Sequence, residues 1–242
     1  MTKFSFFLSV FLLWSFGVIG QSGPQSDTFL RLYKEQLPYF QELISGGEYS
    51  DPPKSINGEP YFKSRNFDYG SLRINKIDYQ EVPLLYDTHR DVVVTFHPIH
   101  NQKILIKSEK VDEFVIFESD VIRNFKGNEG YPHHGNGFYR VVKDSEVKVL
   151  VKYYKDLKVS KDMTSYLKEF VEYSDHFLWF QGDFVKINSK KDAIKALGLD
   201  KKQVRKELPI ANYQFKANIS GYLQQLVDLR VQSSNVFNGF AQ

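Results

Sequence analysis

Phe138-Tyr139-Arg140-Val141-Val142-Lys143-Asp144-Ser145-Glu146-Val147-Lys148-Val149-Leu150-Val151-Lys152-Tyr153 decides the fold class. Two runs rich in β-branched and aromatic residues flank the polar break Lys143-Asp144-Ser145-Glu146. Such residues suit a pleated, half-buried surface, and so short a break leaves the chain room only to turn back on itself. The stretch predicts an antiparallel hairpin. Outward from it the same pattern recurs. Val92-Val93-Val94-Thr95-Phe96 and Ile104-Leu105-Ile106 flank a turn at Pro98 to Gln102, and Phe177-Leu178-Trp179-Phe180 and Phe184-Val185-Lys186-Ile187 flank Gln181-Gly182-Asp183. Leu72 to Asn75 and Ile77 to Leu84 are divided by a very short break, and Phe114 to Phe117 is a further apolar run. In Phe177-Leu178-Trp179-Phe180, alternation puts Trp179 and Phe177 on one face, and both are expected in the core. Asp156 to Tyr173, lysine-rich and without a pattern, is expected to be a long exposed excursion.

Hairpins dominate and no helix separates the strands. The expected class is therefore α+β, mainly β: an antiparallel meander forming a curved sheet or partly open barrel, with N-terminal and C-terminal helices. Ser26-Asp27 can cap a first helix through Leu37, limited by Pro38, with a short turn at Phe40 to Ile44 and a stop at Ser45-Gly46-Gly47. At the other end Ser189 can cap a helix stopped by Gly198, and Asp200 a second that must end before Pro209. Ile219, Leu223, Leu226, Val227 and Val231 form a stripe at helical spacing for a last helix. The chain divides into 1–20, a leader; 21–58, a helical segment and loop; 59–188, the antiparallel β domain; and 189–242, a helical segment packed on that domain.

The leader rests on Met1-Thr2-Lys3, one positive charge, followed by Phe4 to Gly20 without a charged residue, then Val18-Ile19-Gly20 before polar Gln21 to Ser26. That is the layout of a secretory signal peptide, with cleavage expected before Gln21. The chain has no cysteine. Disulfides, thiolate metal sites and thiol nucleophiles are thereby excluded, and a bacterial envelope suits such an exported chain. The formal net charge is +3, of which Lys3 supplies one. This near-balance argues against a nucleic-acid partner. No later stretch is apolar for long enough to span a membrane as a helix, so no span is expected after leader cleavage.

Candidate chemistry concentrates on histidines. His97 and His100 lie in Phe96-His97-Pro98-Ile99-His100, and His133 and His134 in Gly130-Tyr131-Pro132-His133-His134-Gly135. Four imidazoles from two loops could ligate a metal. On a straight strand, however, His97 and His100 point to opposite faces, and no glutamate completes a helical zinc motif. The plainer reading is solvated turn histidines, with no metal and no cofactor. Gly127, Gly130, Gly135 and Gly137 make a glycine-rich loop, but a strand follows it where a phosphate cradle needs a helix. Asp87, His89, Arg90 and Asp91 form a polar knot that could hold a carboxylate–histidine pair, although such a knot at a strand end reads first as a solvated turn. Asp112-Glu113 is too common a pair to select a glycosidase. The aromatics Tyr131, Phe138, Tyr139, Tyr153, Tyr154, Phe177, Trp179 and Phe180 could line a ligand groove, with core packing the simpler account.

Gly58-Glu59-Pro60-Tyr61-Phe62, Gly70-Ser71-Leu72-Arg73-Ile74 and Tyr79-Gln80-Glu81-Val82-Pro83-Leu84-Leu85-Tyr86-Asp87 resemble a family of uncharacterised exported proteins from Bacteroidota. The likeness continues through Gly137 to Val142 and Phe184 to Lys191. The resemblance implies an envelope location, periplasmic or extracellular, and carries no catalytic residue. The expected function is that of an exported soluble envelope protein, a non-enzymatic binding or accessory module whose partner is an envelope protein or a small ligand. The alternative is a hydrolase or metal-dependent enzyme using the histidine-bearing loops.

Overall fold

A computed structural model describes residues 42–97, 102–161, 166–209 and 215–239. The leader, the helix expected from Ser26, and Pro98 to Asn101 with His100 lie outside these residues. The described strands are β1 (Ile56–Asn57), β2 (Asp68–Ile74), β3 (Ile77–Asp87), β4 (Val92–Phe96), β5 (Lys103–Leu105), β6 (Val111–Ile116), β7 (Asp120–Asn124), β8 (Phe138–Lys143), β9 (Lys148–Lys161), β10 (Tyr166–Phe180) and β11 (Asp183–Lys186). Three helices follow them: α1 (Lys190–Ala196), α2 (Lys201–Glu207) and α3 (Ile219–Gly239).

All eleven strands join one sheet, in the order β1-β10-β9-β8-β7-β6-β2-β3-β4-β5, with β11 on β10. Every pairing is antiparallel except β1 on β10. The fold is thus mainly β, with a curved sheet that does not close into a barrel. Two meanders, β2 to β5 and β6 to β11, are stitched together by the pairing of β2 with β6. The short break between β2 and β3 is a two-residue turn, Asn75-Lys76, with φ of 49° and 67°. Positive φ at both residues matches the right-handed twist of the flanking strands, and asparagine tolerates it best after glycine. Gln181-Gly182, φ 54° and 97°, turns β10 into β11 in the same way.

The sheet curls. β3 pairs β2 through Leu84 and β4 from Leu85 onward, a stagger accompanied by register shifts in β2 between Gly70 and Leu72 and between Arg73 and Ile74. Bulges of this kind bend and twist a strand. The bend brings the β3–β4 corner onto β8 and β9, although β2, β6, β7 and β8 stand between β3 and β9 in the sheet order. Inside the curl the Tyr86 ring meets Phe114 at 5.3 Å and Phe138 at 6.1 Å, and Phe62 meets Tyr153 at 4.9 Å. Outside it, Val149, Leu178 and Ile187 pack against Leu223, Leu226 and Val227 of α3, Ala193 of α1 and Val204 of α2. Each such fully buried valine, leucine or isoleucine side chain stabilises by roughly 1.5–3 kcal/mol.

The helix signals read from the sequence are present as atoms. The Asp192 amide donates to Ser189 Oγ (3.2 Å), and the Gln203 amide to Asp200 Oδ2 (2.9 Å). Gly198, at φ 64°, ends α1 with its amide on the Lys195 carbonyl and the Leu199 amide on that of Ile194. These two reversed bonds satisfy carbonyls that the helix end would leave unpaired. Three expectations need correction. Asp156 to Tyr173 is no excursion: Lys155 to Leu157 pair with Glu172 to Phe170, continuing the β9–β10 ribbon. Its exposed lysines mark solvent-facing positions on paired strands, not irregularity, while Lys155 and Phe170 are half-buried against the 59–61 segment and His89. Val231 is 42% exposed and falls off the α3 stripe, which uses Tyr222 and Leu229 instead. Trp179 is half-buried at the core rim, 5.6 Å from Phe125, while Phe177 on the same face is buried.

Candidate functional site

The β3–β4 corner, Asp87-Thr88-His89-Arg90-Asp91, is a buried polar junction. The expectation of a solvated turn is overturned for Asp87, Thr88 and Asp91, which are 1%, 3% and 4% exposed; His89 and Arg90 remain outside. The reason is that each carboxylate finds donors. Asp87 Oδ1 accepts the amides of His89 (2.9 Å) and Arg90 (3.0 Å), and its Oδ2 accepts the Tyr49 hydroxyl (2.8 Å). Asp91 Oδ1 accepts the Tyr86 hydroxyl (2.5 Å), and Oδ2 accepts the Asn136 amide (2.6 Å) and faces Lys152 Nζ at 2.7 Å. Lys152, a strand residue of β9, spends its other N–H groups on the carbonyls of His134 (3.1 Å) and Phe138 (3.0 Å). Burial pushes the Lys152 ammonium below the usual lysine range, against the pull of Asp91. Burial, then Asp91, pushes the Tyr86 hydroxyl well up.

The glycine-rich loop closes over this pair. Gly135 has φ 58°, and a Cβ there would lie 2.5 Å from Asp91 Oδ2. The missing side chain is what lets the loop backbone lie on the carboxylate and present the Asn136 amide. The glycines thus seat a loop on an internal carboxylate. His134 takes part: its Nδ1 lies 2.9 Å from the Tyr139 hydroxyl, which also accepts from Asn128 Nδ2 at 2.9 Å. Burial followed by the Lys152 charge lowers the His134 ring's affinity for a proton. His133 turns away and stacks on Tyr154, 3.8 Å between centroids and 15° between planes. Both histidines are half-buried rather than solvated.

On the far side of Asp87 the sheet stays open, and its two edges border a cleft of about 660 Å³. Ile56 of β1 lines it on one side and Lys103 of β5 on the other, with Asp51, Lys54, Glu59, Tyr61, Arg65, Asn66 and Phe67 between them. A relay runs inward from it. Lys103 Nζ donates to Asp51 Oδ1 (2.6 Å), Tyr61 donates to the same oxygen, and Tyr49 lies 3.4 Å from Tyr61 and donates to Asp87. Burial works to raise the Asp51 carboxyl, but Lys103 and Tyr61 outweigh it and hold it below the usual range. The Lys103 ammonium sits 5.9, 5.5 and 6.0 Å from the ring centroids of Tyr49, Tyr61 and Phe67. Three π-faces and a carboxylate fix that cation in place.

Among the described residues no three His, Asp or Glu side chains converge as a metal site requires. His133 and His134 diverge, His97 is held at the β4 end by its amide on the Gln102 carbonyl, and His100 lies outside the described residues. Asp112 accepts the Lys76 amide at the β2–β3 turn, and Glu113 pairs with Arg123. Of the aromatics, Phe138, Tyr139 and Phe177 are core. Tyr154 is covered by His133 on one side and Tyr173 on the other, so that stack offers edges rather than a platform.

No protein-family model matches this chain, and no curated protein or solved structure matches it either. Geometry alone therefore ranks the sites. The Asp91–Lys152 junction is saturated by its own partners, whereas the cleft between β1 and β5 presents charges of both signs to solvent.

Two of these features were missed in sequence. The cleft is assembled from Asp51 to Phe67, which reads as a loop closing in a turn, and from Lys103, one lysine among many. Only the pairing of distant strands brings them together. Lys152 gave a weak signal: a charged residue at a position where a buried strand continues.

Proposed function

We propose that the protein is an exported, non-enzymatic binding module that holds an extended, peptide-like ligand in the cleft between sheet edges β1 and β5. The observation that carries this reading is the opening itself: the curled, unclosed sheet leaves a polar cleft of about 660 Å³ between β1 and β5. Among the described residues β1 pairs as a strand only with β10, and the Ile56 amide is bonded to the Pro53 carbonyl (3.0 Å), so a ligand strand on this side would take its place beside a short, partly engaged edge. Adding a strand to an exposed edge is a recurrent way to bind an extended peptide. Asp51 and Glu59, against Lys54 and Arg65, suit a ligand that carries both charges. The absence of a free catalytic group at the junction supports binding over turnover: the Asp87 and Asp91 oxygens and the Lys152 ammonium are engaged in holding the corner.

Export rests on the leader at residues 1–20 and on the resemblance to exported proteins. Intact-mass analysis of protein recovered outside the cytoplasm tests it, with loss of residues 1–20 expected and a retained leader opposing it. Binding is tested by calorimetric titration with a set of short zwitterionic peptides. Arg65→Ala, at a side chain 74% exposed, is expected to weaken binding without changing the unfolding midpoint. Equal binding by wild type and variant, or hydrolysis of the peptides, opposes the reading.

A further inference from the structure

A second cleft lies between α1 and α2, outside the sheet and away from the junction. Its volume is about 530 Å³, within the size range of small-molecule sites. Five cations line it, Lys190, Lys191, Lys195, Lys201 and Arg205, around the half-buried Ile194 and Leu199, and no acidic residue does. None of the five has an ion pair among the described residues, whereas Lys63, Lys103, Lys143, Lys148, Lys152 and Lys186 each face an aspartate. The two acids nearest in sequence are committed to the helix starts: Asp200 caps α2, and Asp192 sits in the first turn of α1. The amides at both starts are capped by Ser189 and Asp200, so attraction for an anion comes from the side chains.

Five unpaired cations around one concavity repel one another and concentrate positive potential where low-dielectric walls focus it. A multivalent anion relieves that repulsion. Phosphate fits best: it offers up to two charges with several acceptor oxygens, and a guanidinium such as that of Arg205 matches its geometry with paired donors. Ile194 and Leu199 give the floor an apolar surface for the body of the molecule that carries the phosphate. We propose that the α1–α2 cleft is a binding site for a phosphate-bearing ligand.

The test uses the full chain and two probes, inorganic pyrophosphate and vesicles of phosphatidylcholine with and without phosphatidylglycerol. Binding is measured for wild type, for Lys195→Glu with Arg205→Glu, and for Lys126→Glu as a control at an exposed position elsewhere. All three side chains are exposed, so folding should survive; a thermal melt checks this, and Lys195→Gln with Arg205→Gln replaces the reversal pair if it does not. Pyrophosphate binding that falls at least about tenfold in the paired variant and not in the control supports a soluble phosphate ligand, a factor equivalent to about 1.4 kcal/mol. Binding only to the anionic vesicles, lost in the same variant alone, supports the same chemistry supplied by a lipid headgroup. No binding to either probe overturns the proposal, as does equal loss in control and paired variant or no loss in the paired variant.

Discussion

Replacing Lys152 by methionine removes the ammonium that ties the β3–β4 corner to β9, while keeping the length and apolar stem of the side chain. Lys152 is 1% exposed, and its Nζ reaches Asp91 Oδ2 at 2.7 Å and the carbonyls of His134 and Phe138. Without it a buried carboxylate keeps the Tyr86 and Asn136 donors but loses its countercharge, and two buried carbonyls lose a donor. Breaking a buried pair from one side costs about 3–5 kcal/mol. Against a total stability on the order of 5–15 kcal/mol, that is at least about a fifth of the margin. Asp91→Asn alone leaves a buried ammonium facing a neutral amide and should cost a comparable amount. The pair of changes should cost less than the sum of the singles by about 2 kcal/mol, because the second removes the unpaired charge the first created. Urea unfolding followed by circular dichroism reads these as changes in midpoint at constant slope. A cost below about 1 kcal/mol for Lys152→Met, or additivity within about 0.5 kcal/mol, would refute the claim that this pair locks the curl.

Gly135→Ala places a methyl against Asp91 Oδ2 at a residue with φ 58°, and should lower the thermal midpoint, with a cost of roughly 1–3 kcal/mol. An unchanged melt would mean that the loop does not rest on Asp91. Tyr222→Phe should leave stability unchanged or raise it, because the buried hydroxyl has no hydrogen-bond partner among the described residues; a loss above about 1 kcal/mol would expose a hidden partner. Burial lowers the proton affinity of His134 and of His176, whose Nε2 lies 3.1 Å from Ser220 Oγ on α3. The unfolded chain then binds more protons, so this stability is present above the ordinary histidine pKa of about 6.5 and is lost as pH falls through the folded values. The urea midpoint should drop between pH 7 and 5, and His176→Gln should flatten that drop; a flat wild-type profile contradicts it. Asp51, Asp144 and Asp175 are held below the usual carboxylate range and stay ionised in that window.

What could be read from the sequence was local, and what escaped was long-range. The Lys143 to Glu146 turn, the Ser189 and Asp200 caps and the Gly198 stop are each encoded within a few residues, and each is seen at the atoms. β7 was missed because Asp120, Arg123 and Asn124 make it look polar. Asp120 is nevertheless buried, held by Lys63 from the segment between β1 and β2 and by Arg140 Nε at 2.6 Å on the neighbouring strand β8. The polar knot at Asp87 to Asp91 is legible as a cluster, but its burial depends on Tyr49, Asn136 and Lys152, up to 61 positions from their partners. Nothing near the knot announces them. Likewise Lys155 to Leu157 carry no apolar alternation, because Lys155 is half-buried through its bonds to the Glu59 and Tyr61 carbonyls while Leu157 is exposed.

The central claim is that the gap between β1 and β5 is where the protein binds. Amide chemical-shift mapping on isotope-labelled protein, titrated with the short zwitterionic peptides, tests it most directly. The account predicts that Ile56, Asn57 and Gly58 on one edge and Lys103 to Leu105 on the other shift together, at one saturable midpoint, while the Tyr131 to Gly137 loop stays still. Shifts confined to the His133 and His134 loop, or shifts on one edge alone, would contradict it.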